Sequence, residues 1–474
     1  MKILLINPPI PLSYYNREFY VPSGLLCLAG ALQKNTEEVE LLDLKIYNKI
    51  ENSNNLEEFY GFYTDILLKK IAKFRPDVIG FGCLYSGHFP DVLKFSDAIK
   101  RQFKDIPIML GGIHATIYPF EILNNCSSID WIILGEGEQT IIQVVNTVKN
   151  KNFEFEKING FAFRENGKII INPKTQFIHD LDSIPFSAYE LIKLKDYYVD
   201  TSQWHNPKKL SINTSIPLVT SRSCPNRCNF CSMFMVMGPM WRARSPENVV
   251  SEIEYLYKKH DQRHFSFMDD NLTLSKAHIM GICDQIIKRK LDIHFETPNG
   301  VAMATLDEEV LDAMVSAGLT RINLAIESGS DYIRNKIMGK NLKRENIFKI
   351  INLIRKYKQL YVKAFFIIGM PEETKETLLE TYEMINDIGV DRVYLHNVVP
   401  FPGTRVFEQA RRDNLLVNIN VENLYKSDEL YLTNFKRVFI KPYELEVSDI
   451  LKFRTKCEAL LAGKKSQKIE LQET

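Results

Sequence analysis

The sequence predicts an α/β protein in which a doubly wound, Rossmann-like domain is followed by a partial (β/α)6 barrel and a helical C-terminal region. Short apolar runs of strand length alternate with longer segments whose apolar residues recur at helical spacing, and this alternation predicts parallel sheets. Glycines follow several of the N-terminal apolar runs, where a parallel sheet binds its ligands. Three closely spaced cysteines follow the first strand of the second series of units.

The composition is that of a globular enzyme rather than of a disordered or nucleic-acid-binding protein. The chain has 474 residues, 45% of them hydrophobic and 25% charged, and such a length commonly forms about three domains. The 60 basic residues nearly balance the 59 acidic residues, so the net charge of +1 offers no field for a polyanion. The apolar runs are too short for a transmembrane helix or a signal peptide. We therefore expect a cytoplasmic protein.

Residues 1–150 are expected to form the first domain, with five parallel strands and helices between them. The predicted strands are Ile3–Ile6, Val39–Leu44, Asp77–Cys83, Ile106–Leu110 and Asp130–Leu134. The predicted helices are Ser23–Gln33, Leu56–Phe74, Pro90–Phe103 and one that follows the fifth strand. One rim of this sheet should be lined by Pro8, Gly82, Gly111, Gly112 and residues 135–138.

Residues 151–212 are predicted to form a β-hairpin, turned at Asn166-Gly167, and a linker. Residues 213–405 contain the second series of units, with predicted strands Leu218–Ser221, His264–Met268, Ile293–Thr297, Arg321–Ile326, Val362–Gly369 and Arg392–Asn397. Six units are too few for a closed eight-stranded barrel, so we expect an open barrel with its active site at the carboxyl ends of the strands. Residues 406–474 are charged and predicted to be helical.

Three of the eight cysteines, Cys224, Cys228 and Cys231, stand within eight residues of one another. The other five lie mostly in apolar sequence and are expected to be core residues. Thiolates in one loop are soft ligands that suit an iron–sulfur cluster or a zinc ion. Zinc would need a fourth donor, and the nearest upstream histidine, His205, is nineteen residues away. A [4Fe–4S] cluster on three cysteines would keep one iron open for a small molecule. Zinc stays an alternative.

The spacing Cys-x3-Cys-x2-Cys, with the aromatic Phe230 before the last cysteine, resembles the signature of the radical S-adenosylmethionine (SAM) enzymes. Four segments at the ends of predicted strands are similar to the motifs that accompany this signature: Phe267-Met-Asp-Asp-Asn271, Glu327-Ser-Gly-Ser330, Gly369-Met-Pro-Glu-Glu373 and Pro400-Phe-Pro-Gly-Thr404. The resemblance covers residues 216–405 and implies that the partial barrel is of the radical SAM type.

The resemblance implies that Cys224, Cys228 and Cys231 bind a [4Fe–4S] cluster, which cleaves SAM to methionine and a 5′-deoxyadenosyl radical. It implies SAM contacts at Phe230, Asp269, Asp270, Glu327, Ser328 and Gly369. The two aspartates would meet the ammonium group, the glutamate and serine would meet the ribose or carboxylate, and the backbone of the phenylalanine and glycine would approach adenine. Helix capping is the alternative for the aspartates, and a loop hydrogen bond is the alternative for the glutamate and serine.

The first domain resembles the cobalamin-binding domain of one class of this superfamily, on the motifs Pro22-Ser-Gly-Leu-Leu-Cys-Leu-Ala29, Gly111-Gly-Ile-His-Ala115 and Gly135-Glu-Gly-Glu138. This implies cobalamin contacts at Pro9, Ser23, Gly24, Leu84, Tyr85, Gly111, Gly112, His114, Glu136 and Gly137. An Asp-x-His-x-x-Gly motif, which would supply a histidine to cobalt, does not follow the first strand. The lower face of cobalamin would therefore meet Leu84 and Tyr85, and His114 is expected near the nucleotide tail or at a domain seam.

The two resemblances together imply a cobalamin-dependent radical SAM enzyme that methylates an unactivated carbon of a small molecule or lipid. Two alternatives stay open: a radical cyclisation or rearrangement without methyl transfer, and a cobalamin- or iron–sulfur-based sensor without turnover. An electron donor such as flavodoxin or ferredoxin is implied as a partner. Arg222 and Arg242 flank the cysteines and would counter the charge of the cluster or of SAM, or face solvent.

Overall fold

Two large sheets, one in each half of the chain, carry the fold. The computed structural model describes residues 1–9, 20–47, 55–151, 153–197, 205–427, 430 and 436–470, the last seven by their helical backbone alone. The first sheet has seven strands and the second has six, and a two-stranded ribbon belongs to neither.

The first sheet is doubly wound, as predicted. Its strands are β1 (Lys2–Asn7), β2 (Glu38–Asp43), β3 (Val78–Gly82), β4 (Ile108–Gly111), β5 (Trp131–Ile133), β6 (Phe161–Glu165) and β7 (Lys168–Asn172). The helices among them are α1 (Ser23–Lys34), α2 (Leu56–Phe74), α3 (Phe89–Gln102), α4 (Ile113–Ile117), α5 (Pro119–Asn125) and α6 (Glu138–Lys149). The strands β2-β1-β3-β4-β5 lie side by side in this order and are all parallel. From β1 the chain first adds a strand on one side and then continues on the other side with β3, and such a switch point opens a crevice at the carboxyl ends of β1 and β3.

The strands of the first sheet are continuously apolar because both faces of the sheet are covered. Along β1, Leu4 and Ile6 enter the core on one face, and Ile3 and Leu5 enter the core on the other. The predicted hairpin, β6 and β7, turns at Asn166-Gly167 with positive φ angles of 48° and 76°, as a tight two-residue turn requires. It pairs antiparallel with β5, so the first sheet continues beyond residue 150. The domain boundaries stay a prediction.

The second sheet is the predicted partial barrel. Its strands are β8 (Ile216–Leu218), β11 (His264–Phe267), β12 (His294–Val301), β13 (Leu319–Glu327), β14 (Tyr361–Ile368) and β15 (Arg392–Asn397), and the ribbon consists of β9 (Ser221–Arg222) and β10 (Arg242–Ala243). The helices are α7 (Met233–Met237), α8 (Pro246–His260), α9 (Lys276–Lys288), α10 (Glu308–Ala317), α11 (Arg344–Ile354), α12 (Lys375–Asp387), α13 (Arg405–Arg412) and α14 (Val447–Glu470). The six strands pair in chain order and are all parallel.

The first barrel strand ends earlier than the sequence predicts. β8 stops at Leu218, and Ser221 pairs antiparallel with Ala243 in the ribbon. The physical reason is the carboxylate of Asp269, which accepts hydrogen bonds from the backbone nitrogens of Thr220 and Ser221 and draws the chain away from the sheet.

The inner face of the barrel is filled by side chains only in part: Ser266, Glu296 and Asn323 are buried on it. On β14, Ala364, Phe366 and Ile368 are buried against the outer helices, whereas Phe365 and Ile367, on the opposite face, are partly exposed. A closed barrel of this type has a packed interior. In the open barrel, the inner side of β14 and β15 stays partly exposed, and we call this side the lumen.

The C-terminal region is held to the last barrel strand. Arg454 on α14 donates a hydrogen bond of 2.8 Å to the carbonyl oxygen of Leu395 in β15. Between α13 and α14, the described chain contains a short 3₁₀ helix, Val421–Lys426, and an antiparallel bridge between Leu416 and Ile440. Over the described ranges, none of the helices combines the length and the apolar character that crossing a bilayer requires.

Candidate active site

The three clustered cysteines lie in the loop that leaves the ribbon strand β9. Cys228 is only 8% exposed, and Cys224 and Cys231 are half-buried. Ser223 and Arg227 have φ angles of 73° and 46°, in the left-handed region that non-glycine residues seldom adopt. These two residues turn the chain sharply on both sides of Cys224.

Backbone hydrogen bonds fix this loop to the carboxyl end of the barrel. The backbone nitrogen of Asn229 donates to the carbonyl oxygen of Met338 at 3.1 Å, and the nitrogen of Val406 donates to the carbonyl oxygen of Asn229 at 3.1 Å. Phe230 packs against an apolar cluster that includes Met370 and Val398, beyond the ends of β14 and β15. The loop is therefore part of the rim of the barrel, where the sequence places it.

The three thiols form a donor set of the kind that binds an iron–sulfur cluster. Burial raises the pKa of Cys228 to about 11; among its charged neighbours Lys340 lowers this pKa, whereas Cys231 and Cys224 raise it. The three thiols are thus close enough to interact. Within the described parts of the chain, no three His, Cys, Asp or Glu side chains converge as the ligands of one ion would. One thiolate for each of three irons is the arrangement that these residues suit.

Lys340 lies beside the cysteine loop, although the sequence analysis does not single it out. Its Nζ lies 2.9 Å from Oε1 of Glu327, and both side chains are largely buried. Burial alone would lower the pKa of Lys340, but Glu327 and the thiols of Cys228 and Cys224 raise it above its ordinary value. A lysine 13 residues beyond a strand end carries no spacing signal in the sequence. The irregular end of β13, where Glu327 has a φ of 73°, is a feature that often marks a functional site.

The two aspartates predicted to meet SAM occupy different environments. Asp269 is buried and accepts four hydrogen bonds of 2.5–3.3 Å from the backbone and hydroxyl groups of Thr220 and Ser221. Asp270 accepts one hydrogen bond, from the backbone nitrogen of Ser223 at 2.7 Å, and it lies close enough to Cys231 to raise the pKa of that thiol. Burial raises the pKa of Asp270 to about 6. Neither aspartate caps α9, whose N-cap is Ser275.

The other two predicted SAM motifs shape loops. Ser328 is fully buried, and its hydroxyl lies 3.3 Å from that of Thr381 on α12 and accepts a hydrogen bond from the backbone of Ser330, so the predicted loop hydrogen bond is present. Gly369 has a φ of 88°, and its nitrogen donates to Glu373 at 2.5 Å. Glu373 is completely buried, and burial raises its pKa to about 7. The roles of Ser328 and Gly369 toward SAM stay predictions.

The crevice of the first sheet presents apolar surface where cobalamin is expected. Leu84 and Tyr85, which follow β3, are 52% and 43% exposed, and exposed apolar residues at such a switch point indicate a binding site. Pro9 is buried at the end of β1. Ser23 is half-buried and Gly24 exposed at the start of α1, and a side chain at Gly24 would meet nothing within 4 Å.

The ends of β3 and β4 approach each other closely, which explains the glycine pair after β4. Gly112 has a φ of 113°, and a Cβ there would overlap the carbonyl oxygen of Cys83, whereas a Cβ at Gly111 would meet nothing within 4 Å. His114 is fully buried, with Nδ1 2.9 Å from the hydroxyl of Ser86 and its ring against Phe89. Burial lowers the pKa of His114 to about 3, and the backbone of Tyr425 lies close enough to raise this pKa in part, so the histidine lies beside the C-terminal region.

The last predicted rim residues connect the two sheets. Arg222 donates to Glu136 at 3.1 Å and to Glu138 at 2.6 Å, and Arg242 donates to Glu136 at 2.7 Å. Burial would raise the pKa of Glu138, but Arg222 holds it at about 2. The sequence analysis expects the two arginines to counter the charge of the cluster or of SAM, or to face solvent. In the structure they are instead paired with carboxylates of the first domain. Gly137 precedes α6 and packs against Leu28. A contact of Glu136 or Gly137 with cobalamin stays a prediction.

Comparisons with known proteins agree with both halves of this description. The family model described as Radical SAM superfamily matches residues 218–385, and the model described as B12 binding domain matches residues 17–145. The chain is 30% identical over 426 residues to the uncharacterized methyltransferase PH0819 of Pyrococcus horikoshii, with 89% of this chain and 85% of the relative covered. It is 27% identical to the cytidylyl-2-hydroxyethylphosphonate methyltransferase of Streptomyces wedmorensis, covering 88% and 82%. It is 29% identical to the anaerobic magnesium-protoporphyrin IX monomethyl ester cyclase of Rubrivivax gelatinosus, covering 74% and 63%.

Two solved structures share the fold over most of the chain. The radical SAM methyltransferase TsrM from Kitasatospora setae, with cobalamin and a [4Fe-4S] cluster bound, matches with a TM-score of 0.70 at 18% identity, covering 89% of this chain and 79% of that one. The cobalamin-dependent SAM radical enzyme OxsB with aqua-cobalamin bound matches with a TM-score of 0.73 at 18% identity, covering 94% and 64%. At these identities the likeness shows the fold.

Proposed function

Because the chain belongs to the radical SAM superfamily and to its class with a B12-binding domain, we propose that it methylates an unactivated carbon of a small molecule or lipid. It is a cobalamin-dependent radical SAM enzyme whose cofactors are a [4Fe–4S] cluster, SAM and cobalamin, and it needs a reductant. When bound, the cluster supplies an electron for the cleavage of SAM, and cobalamin supplies methyl-transfer chemistry. The relatives named methyltransferases support this choice of reaction.

The single observation that carries the proposal is that the two binding rims face each other. α4, which follows β4 of the first sheet, packs against α7, which follows the cysteine loop. A Cβ at Gly135, on the first rim, would lie 2.8 Å from the carbonyl oxygen of Val236 in α7. The segments that follow the carboxyl ends of both parallel sheets therefore lie against each other, and a reaction that involves both cofactors requires such proximity.

The residues around the cysteine loop are suited to hold SAM and exclude water. We assign the cluster to Cys224, Cys228 and Cys231, with Phe230 as an apolar wall beside it. The charge of Asp270 acts on Cys231 of the loop, whereas Asp269 is already saturated with hydrogen bonds from Thr220 and Ser221. Of the predicted SAM contacts, we therefore favour Asp270 for the ammonium group.

The side chains that line the lumen of the barrel favour a small molecule as the substrate. Its aromatic wall consists of Phe365, Tyr394 and His396, with ring centroids 5.6 Å apart in the first pair and 6.1 Å apart in the second. Deeper in the lumen, Lys363 lies over the ring of Tyr394 at 5.7 Å, on the strand next to that of Arg321. Arg321 is paired with Glu296 at 3.2 Å, and an aromatic wall beside Lys363 suits a substrate with an apolar or planar body and an anionic group.

Radical cyclisation is the second candidate, because the relatives also include anaerobic cyclases. The labelled methyl group of SAM distinguishes the two reactions. We expect that the anaerobically reconstituted enzyme, given trideuteriomethyl-SAM, a reductant and a metabolite extract, forms a product that carries the intact label. A cyclisation would release 5′-deoxyadenosine with an unlabelled product of altered mass, and this result would overturn methylation in favour of the second candidate. The matched control is the variant with alanine in place of all three cluster cysteines.

A further inference from the structure

Two carboxylates of the first domain are buried against the two strands that carry the cysteine loop. Glu136 and Glu138 follow β5, and their side chains are at most 10% exposed. Their partners, Arg222 on β9 and Arg242 on β10, are 12% and 5% exposed. The three ion pairs have nitrogen–oxygen distances of 2.6–3.1 Å.

These ion pairs hold both ends of the cysteine loop in place. Arg222 directly precedes the loop, Arg242 follows it, and the two arginines lie opposite each other in the ribbon. Glu136 accepts hydrogen bonds from both arginines, so one carboxylate fixes the residues on either side of the loop. Glu138 accepts a further hydrogen bond from Arg222.

The same carboxylates belong to the rim of the first sheet. The oxygen of Glu136 that does not bind Arg222 accepts from the backbone of Ile178 at 2.9 Å, and Arg242 donates to the carbonyl oxygen of Ile178 at 2.6 Å. Glu138 accepts from the thiol of Cys27 on α1 at 3.3 Å. The junction thus joins the first sheet, the linker and the cysteine loop through largely buried polar contacts.

Buried ion pairs contribute little to stability because desolvation opposes their attraction, but they fix geometry. We propose that Glu136 and Glu138 are positioning residues, which set the separation between the cysteine loop and the cobalamin crevice. This inference rests on the proposed function, since it concerns the two cofactors that the enzyme uses. Misplacement by a fraction of an ångström to an ångström is sufficient to slow a reaction roughly a hundredfold.

A distance measurement on the reduced holoenzyme without SAM tests this role without relying on turnover. The reduced [4Fe–4S] cluster and cob(II)alamin each carry an unpaired spin, so pulsed dipolar electron paramagnetic resonance reports the separation between them. We expect a longer or broader distance distribution for Glu138→Gln than for the unsubstituted enzyme. The matched control is Glu37→Gln, which removes another buried carboxylate with two ion pairs in the same domain, remote from the junction. This control should leave the distribution unchanged.

The ratio of products adds a second readout. For Glu138→Gln we expect the amount of methylated product per 5′-deoxyadenosine to fall roughly tenfold, whereas a simple loss of folded enzyme would lower both products together. An exchange of charges, Glu138→Arg with Arg222→Glu, should restore part of the ratio. If Glu138→Gln fails to fold, Glu138→Asp, which keeps the charge but shortens the side chain, is expected to shift the distance.

An unchanged distance distribution and an unchanged product ratio in the fully loaded variant would overturn the positioning role. That result would leave the proposed function intact, because both spins would still be observed. Absence of the cob(II)alamin signal from the unsubstituted, reconstituted enzyme would instead contradict the proposed function.

Discussion

Lys340 and Glu327 form an ion pair, with Nζ 2.9 Å from Oε1, whose lysine is close enough to the cysteine loop for its charge to act on Cys228. The pair joins a loop after β13 to the irregular end of that strand. An anionic cluster on three thiolates is stabilised by a nearby cation. We therefore expect Lys340, a largely buried cation beside this loop, to stabilise the charge of the cluster.

Replacement of that cation should hinder reduction of the cluster. For Lys340→Met we expect a more negative midpoint potential and a release of 5′-deoxyadenosine that falls roughly tenfold or more, because one stabilising charge is lost. Potentiometric titration followed by electron paramagnetic resonance measures the potential. Lys356→Met, which removes a surface lysine paired with Glu308, is the control. Equal potentials in both variants would refute the role of Lys340.

Glu373 should make the stability of the protein depend on pH. Burial raises its pKa from 4.5 to about 7, so the folded state binds a proton that the unfolded state loses between these two values. The free energy of unfolding should therefore decrease as the pH rises from 4.5 to about 7, by at most about 3 kcal/mol from this group. Glu373→Gln should remove that part of the decrease. Chemical denaturation of both proteins at several pH values in this window tests the prediction, and identical pH profiles would contradict it.

The glycine pair after β4 offers a matched test of the cobalamin crevice. Gly112→Ala should destabilise the protein by about 2 kcal/mol or more, because the new Cβ would force apart the ends of β3 and β4. Gly111→Ala adds the same atom in open space and should change stability by less than about 1 kcal/mol. Urea denaturation and the cobalt content after reconstitution measure the two effects. A similar loss in both variants would argue against the close approach at Gly112.

The lumen should bind an anionic group of the substrate through Lys363. The labelling experiment with trideuteriomethyl-SAM identifies the substrate. For Lys363→Met we expect the KM of this substrate to rise roughly tenfold, because a charge-assisted contact is lost. Release of 5′-deoxyadenosine without substrate should be unchanged, as it should be for Lys349→Met, an exposed lysine on α11. Steady-state kinetics give the answer, and a KM equal to that of the unsubstituted enzyme would exclude this contact.

The sequence predicts the parallel sheets because their strands follow a local rule. Both faces of β1 are covered, so four consecutive apolar residues, Ile3 to Ile6, identify it without any tertiary information. The cysteine loop is equally local, since its ligands lie within eight residues. Phe365 shows the limit of such rules: the sequence identifies its strand, whereas only the open barrel leaves its side chain partly exposed.

Pairings between distant residues could not be predicted. Arg222 and Glu138 are 84 positions apart, and each residue alone is compatible with a solvent-exposed or ligand-binding role. Asp269 and Asp270 are adjacent and chemically identical, but the first is saturated by Thr220 and Ser221, whereas the second faces the cysteine loop. Tertiary contacts, which no spacing encodes, decide these roles.

Quantification of iron, sulfide, cobalt and zinc in anaerobically reconstituted protein tests the central claim most directly. We expect about four irons, four sulfides and one cobalt per chain, with the iron lost from the variant that has alanine at Cys224, Cys228 and Cys231. One zinc per chain in place of iron, or iron that survives the loss of all three thiols, would contradict it.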